Sequence, residues 1–136
     1  MEANTVVYPN VDLVMRHLRN CGISLGIVST KHHQRIARIL AASGVRRHFD
    51  VIVGADDVVK PKPHPEGIIM AVARLAVTRE TAVYVGDHPV DALAADAAGV
   101  RFVAILSGTC SRGAFDEYPH EEIIDGLVQL PEVLGV

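Results

Sequence analysis

Three short polar runs in this 136-residue sequence carry the residue types needed to handle a phosphorylated ligand. Ser29-Thr30-Lys31 offers hydroxyls and a cation, and Lys60-Pro61-Lys62-Pro63-His64-Pro65 offers ammonium groups stiffened by prolines. Gly86-Asp87-His88-Pro89-Val90-Asp91 offers two carboxylates. Hydroxyls and backbone amides can hold phosphate oxygens, and a lysine neutralises their charge. Carboxylates supply hard oxygen ligands for Mg²⁺, which keeps several waters and takes few protein groups. Asp87 and Asp91 stand four apart, so a tight first helical turn brings both to one side. Gly86 would let the backbone approach a ligand closely.

Each run alone also has a plainer reading. Ser29 and Thr30 could cap the following helix. Lys60 and Lys62 could be solvated loop charges. Asp87 could cap the helix opening at Pro89, with Asp91 complementing its dipole. What favours a site is order: each run directly follows a predicted strand.

Those strands are short apolar runs: Ile23 to Val28, Phe49 to Val53, Ala82 to Val85 and Phe102 to Leu106. Between them the apolar spacing is helical. Val11, Val14, Leu18 and Cys21 share a face after Asn10, a candidate cap, and that pattern ends at Gly22. Arg35 to Ser43 places Ile36, Ile39 and Leu40 together and stops at Gly44. Pro65 opens a helix with Ile68, Ile69, Val72 and Leu75 expected to face inward, and Pro89 opens another through Leu93 and Ala97 to Gly99. Strand–helix alternation with short loops implies right-handed crossovers and a parallel sheet, hence a three-layer α/β domain. Strands apolar throughout fit a sheet covered on both faces. In such a sheet the loops after the strands share one rim, where ligands bind.

Composition narrows the function classes. The length suits one domain over residues 1–136, and 49% hydrophobic with 21% charged residues fits a packed core. A net charge of -3, no Trp and 4% aromatics support neither a phosphate-backbone surface nor a base-stacking platform, so nucleic acid is not expected as a partner. No apolar stretch approaches the roughly 20 residues of a membrane span, and Met1 to Tyr8 lacks the features of an export signal. Cys21 and Cys110 lack metal spacing and read as reduced thiols of a cytoplasmic protein.

Taken in order, these residues resemble the haloacid dehalogenase superfamily of phosphatases, most closely its phosphoglycolate-phosphatase-like branch. Ile27-Val28-Ser29-Thr30-Lys31 looks like the second motif, Lys62-Pro63-His64-Pro65 like the third, and Gly86-Asp87 with Asp91 and Ala98-Gly99 like the fourth. The stretch from Gly108 through Leu130-Pro131 is also similar to this branch. The resemblance implies a Rossmann-like core that hydrolyses small phosphorylated metabolites through an aspartyl-phosphate with Mg²⁺. It assigns Ser29 and Thr30 to the phosphoryl oxygens, Lys62 to phosphate binding and catalysis, and Asp87 and Asp91 to the metal.

The departure from the family pattern is as informative. Its first motif, a strand followed by Asp-x-Asp, supplies the nucleophile and leads into a cap domain. No Asp-x-Asp occurs in this sequence, and Asp12 is the only Asp before Ser29. The expectation is a core without cap or first central strand, with negligible turnover by itself and weak Mg²⁺ binding. The alternative is a non-catalytic phosphate- or protein-binding module, self-associating or complemented by another chain. Losing a central strand would leave two inner strands unpaired, which is costly when buried. Three repairs present themselves: a substitute strand from Asn4 to Tyr8, a strand from another polypeptide, or direct pairing of the inner strands. Direct pairing is expected, because Pro9 and the helix from Val11 leave residues 4 to 8 little slack.

The remaining polar residues read as structural. His32 and His33 are expected in an exposed first helical turn, and His64 and His88 as loop residues. Asp56-Asp57 suits a turn or cap, and Arg46-Arg47-His48 is too short for a binding patch.

Overall fold

The structure, a computed structural model, describes residues 10–106 and 110–136. Helix α1 spans Val11–Asn20, α2 His33–Ala42, α3 Glu66–Arg74, α4 Pro89–Ala98 and α5 Leu130–Leu134. The strands are β1 Gly26–Val28, β2 Val51–Val53, β3 Val83–Gly86, β4 Arg101–Ile105 and β5 Glu122–Ile124. All pairings are parallel: β1 with β2, β3 with β4, and β4 with β5.

The strand side chains alternate between two cores, as the pleat dictates. Val103, Ile105, Ile52 and Ile124 pack with Val14, Leu18, Ile36 and Leu40, so α1 and α2 cover one face, with Leu130 of α5 beside them. Phe102 and Ala104 point the other way, against Ile68 of α3 and the alanine face of α4, Ala92, Ala95 and Ala98. Alanines let α4 lie close to the sheet. Three layers result, as the alternating pattern predicts.

Several local expectations are corrected. The first two strands are shorter than their apolar runs, because only Gly26–Val28 and Val51–Val53 find a ladder partner. Asn10 precedes α1 but adopts a left-handed conformation and makes no side-chain cap bond. Ile69 is 44% exposed, since the helical period turns it away from Ile68, which is 2% exposed. His33 is half-buried, and His48 is buried, bonding Asp12 at 2.7 Å through Nε2. Strand β5 was not foreseen. Its three residues follow a 3₁₀ turn at Arg112–Phe115 and add to the edge of β4.

The inner strands do not pair. Among the described residues the strands form two sheets, β1–β2 and β3–β4–β5, and no backbone hydrogen bond joins β1 to β3. Paired strands lie about 4.8 Å apart, whereas here the Tyr84 phenol of β3 reaches across to donate to Val28 O of β1 at 3.1 Å. The two sheets nonetheless share a core, with Ile27, Val83 and Val85 packed in the same cluster. Every β1 and β3 residue is exposed or half-buried, while β2 is buried throughout. Residues 4–8, the candidate substitute strand, lie outside the described residues.

Candidate functional site

The ends of β1, β2 and β3 open onto one rim, and the three polar runs meet there. Ser29 continues β1, its backbone N–H donating to Val53 O at 3.0 Å. Its hydroxyl accepts from the Lys31 N–H at 3.2 Å, so it closes a local turn rather than capping α2. Asp56, from the loop after β2, accepts from the His33 N–H at the start of α2 at 2.8 Å. The expected turn or cap role of the Asp56-Asp57 pair is met twice over: Asp56 serves the distant helix α2, and Asp57 closes its own local turn. Asp57 accepts from the Gly54 N–H at 2.7 Å and bonds His33 Nδ1 at 2.8 Å. These two bonds hold its carboxyl below the usual carboxylate range, the backbone donor contributing most. Gly54 makes this junction possible: a Cβ there would meet His33 Cα and Lys31 O at 2.8 Å. Ser29, Thr30, Gly54, Lys60 and Lys62 consequently line one recess above the strand ends.

Lys62 reaches this recess from a loop whose Lys62–Pro63 peptide bond is cis. The Nζ donates to Asp91 Oδ1 at 2.6 Å and to Tyr84 Oη at 3.1 Å. It also stands 5.6 Å from the Tyr84 ring centroid. Side-chain exposure is 13% for Lys62 and 7% for Asp91, so this ion pair is largely shielded from water. Burial alone pulls the Lys62 ammonium down. The Tyr84 phenol and the Asp91 carboxylate outweigh it, leaving the pKa above its ordinary value. Tyr84 is itself pushed up, chiefly by burial, so its hydroxyl keeps its proton.

Asp91 organises the third run. Its Oδ2 accepts from the N–H groups of Asp87 and His88, each at 3.2 Å, while Oδ1 holds Lys62. The space for it comes from Gly86, where a Cβ would lie 2.5 Å from Asp91 Cβ and 2.6 Å from Oδ2. The close approach that Gly86 permits is thus that of Asp91. His88, not Asp87, caps α4, its Nδ1 accepting from the Val90 N–H at 3.1 Å. Asp87 is half-buried beside it at the rim. Sequence reasoning missed Tyr84 and His88. A phenol inside an apolar strand was the available signal, because a buried tyrosine hydroxyl needs a partner.

Mg²⁺ is the ion this donor chemistry suits. Asp91 spends both oxygens on the protein, and Asp87 is the second carboxylate at this rim. Among the described residues no group of three or more His, Cys, Asp or Glu side chains is disposed to hold a metal.

The structure thus brings a hydroxyl, a buried ammonium and two carboxylates to one rim of an α/β core. A family model described as "Haloacid dehalogenase-like hydrolase" matches residues 1–105. The chain belongs to the haloacid dehalogenase-like hydrolases. Among curated relatives it is 36% identical over 135 residues to a phosphoglycolate phosphatase of Salmonella paratyphi A, covering 99% of this chain and 54% of that one. A phosphoglycolate phosphatase of Cereibacter sphaeroides is 36% identical over 132 residues, covering 97% and 59%. The chain thus spans little more than half the length of these relatives. Among solved structures, a haloacid dehalogenase-like hydrolase from Bacteroides fragilis superposes with a TM-score of 0.91 at 42% identity, covering 96% of this chain and 62% of that one. CbbY of Rhodobacter sphaeroides, solved with xylulose-(1,5)bisphosphate, gives a TM-score of 0.82 at 25% identity, covering 95% and 59%.

Proposed function

We propose that this chain is the phosphate-handling core of a phosphomonoesterase resembling phosphoglycolate phosphatase, acting on a small phosphorylated metabolite in the cytoplasm. One observation carries the reading: Ser29, Thr30 and Lys62 share a recess, and Lys62 is held by the residue that organises the Asp87 loop. Ser29 and Thr30 would hold phosphoryl oxygens, and Lys62 would offset their charge. Asp87 would hold Mg²⁺ directly and Asp91 through water. The ion would further offset phosphoryl charge. Positioning and charge neutralisation alone supply no attacking group, so this chain by itself is expected to show negligible turnover.

The test is calorimetric and enzymatic together. Inorganic phosphate should bind the chain and lose affinity in Ser29→Ala and Lys62→Met. Mg²⁺ should bind weakly, and a generic phosphate ester should not turn over. Phosphate binding indifferent to both substitutions would overturn the assignment of the recess. Tight stoichiometric Mg²⁺ uptake, or turnover that disappears in Asp87→Asn, would overturn the incomplete-core reading.

Among the described residues β1 and β3 have no ladder partner on their facing edges, which favours a second reading beside this one: a strand from a second copy or another polypeptide completes the sheet. A chain that remains monomeric at high concentration, and whose β1 and β3 amides exchange no faster than those of β4, would refute it.

A further inference from the structure

The recess is lined from the β1–β2 side, Ser29, Thr30, Gly54 and Lys62 among its residues. Ser29 and Thr30 continue β1 and Lys62 follows β2, whereas Tyr84, which accepts from Lys62 beside Asp91, belongs to β3. Among the described residues β1 and β3 share no ladder, and the Tyr84 hydroxyl bonds from one to the other.

We propose that Tyr84 is a positioning residue, whose phenol ties the Lys62 ammonium to the end of β1 and so aims it at an anion in the Ser29–Thr30 recess. This rests on the phosphate-binding reading of that recess. The argument is one of donors and acceptors. The Tyr84 hydroxyl has a single proton and gives it to Val28 O at 3.1 Å, the carbonyl immediately before Ser29. Its oxygen is then left to accept, and it accepts from Lys62 at 3.1 Å. An ammonium has three donors. Asp91 takes one at 2.6 Å and Tyr84 another, and a third remains for a ligand in the recess that Lys62 lines. Two fixed acceptors leave the third N–H little freedom of direction, whereas Asp91 alone would let the ammonium rotate. The ring is held in turn by Phe102, at 6.4 Å between centroids. Tyr84 therefore serves as a strut: one phenol bonds the end of β1 and sets the attitude of the cation beside it.

The test follows the Lys62 ammonium itself in the full chain labelled with ¹⁵N-lysine, its signal assigned by its loss in Lys62→Arg. Tyr84→Phe keeps the ring and removes only the hydroxyl. It should speed exchange of the Lys62 ammonium protons by about tenfold, while Tyr118→Phe leaves them unchanged. Titrated inorganic phosphate should move the Lys62 signal, with roughly tenfold weaker affinity in Tyr84→Phe. Added to Lys62→Met, Tyr84→Phe should weaken phosphate no further, which a merely structural loss would not reproduce. If Tyr84→Phe fails to fold, 3-fluorotyrosine incorporation makes the phenol oxygen a poorer acceptor without altering packing, and should shift the Lys62 signal. Unchanged exchange and unchanged phosphate affinity in Tyr84→Phe would overturn the proposal. Faster exchange in Tyr84→Phe, with a wild-type Lys62 signal that ignores phosphate, would instead overturn the phosphate-binding reading and leave the strut standing.

Discussion

Replacing Asp91 with alanine should cost more than any other single rim substitution, and the size follows from its partners. The variant leaves Lys62, 13% exposed, without the acceptor at 2.6 Å that balances its charge. Breaking a buried ion pair from one side costs about 3–5 kcal/mol. The low end applies, because Lys62 keeps Tyr84 and some access to water. The N–H groups of Asp87 and His88 lose acceptors at 3.2 Å. Those bonds are long and the loop is near solvent, so each contributes about 0.5 kcal/mol. The expected loss is about 4 kcal/mol, a large share of the roughly 5–15 kcal/mol that stabilises a domain. Urea unfolding followed by far-UV circular dichroism measures it, a suitable probe in a chain without Trp. The charge argument further requires that Asp91→Ala cost at least 1.5 kcal/mol less in a Lys62→Met background. A loss below about 1 kcal/mol, or an additive double-mutant cycle, would refute the reasoning.

Other outcomes follow from neighbouring contacts. Gly86→Ala places a methyl 2.5 Å from Asp91 Cβ and 2.6 Å from its Oδ2, and should destabilise by about 1–3 kcal/mol in the same unfolding assay; a change within about 0.5 kcal/mol of zero would contradict that packing. Asp56→Ala removes the acceptor for the His33 N–H and should cost about 1 kcal/mol, with faster amide exchange confined to the first turn of α2. The folded-state pKa of Lys62 lies above its ordinary 10.5. Its contribution is therefore fully present below that pH and is lost as pH rises past it, so Lys62→Met should flatten the alkaline side of the stability–pH curve. The folded-state pKa of Asp57 lies below its ordinary 3.8. Its contribution is present above that value and is lost as pH falls through the lowered one, so Asp57→Asn should blunt the most acidic part of the same curve.

Which residues belong to the rim was legible in the sequence, because each run is adjacent in the chain to a strand whose direction is set by the crossover rule. Helices α3 and α4 were legible too, since a proline at or beside the first turn and a 3.6-residue apolar period are local signals. Gly99 beyond α4, at φ 73°, is another. What each rim residue does was decided by tertiary structure. Asp91 reads locally as a helix-dipole partner, yet it answers Lys62, 29 positions away. Tyr84 reads as one apolar strand residue among others, yet its hydroxyl serves Val28, 56 positions away. Asp56 caps a helix that begins 23 residues earlier. That β1 and β3 do not pair with each other was likewise beyond the sequence. Periodicity encodes which face of an element is buried, so fold class survives in short windows of residues. Hydrogen-bond partners depend on how crossovers superpose distant segments to within an ångström, and no short window holds that information.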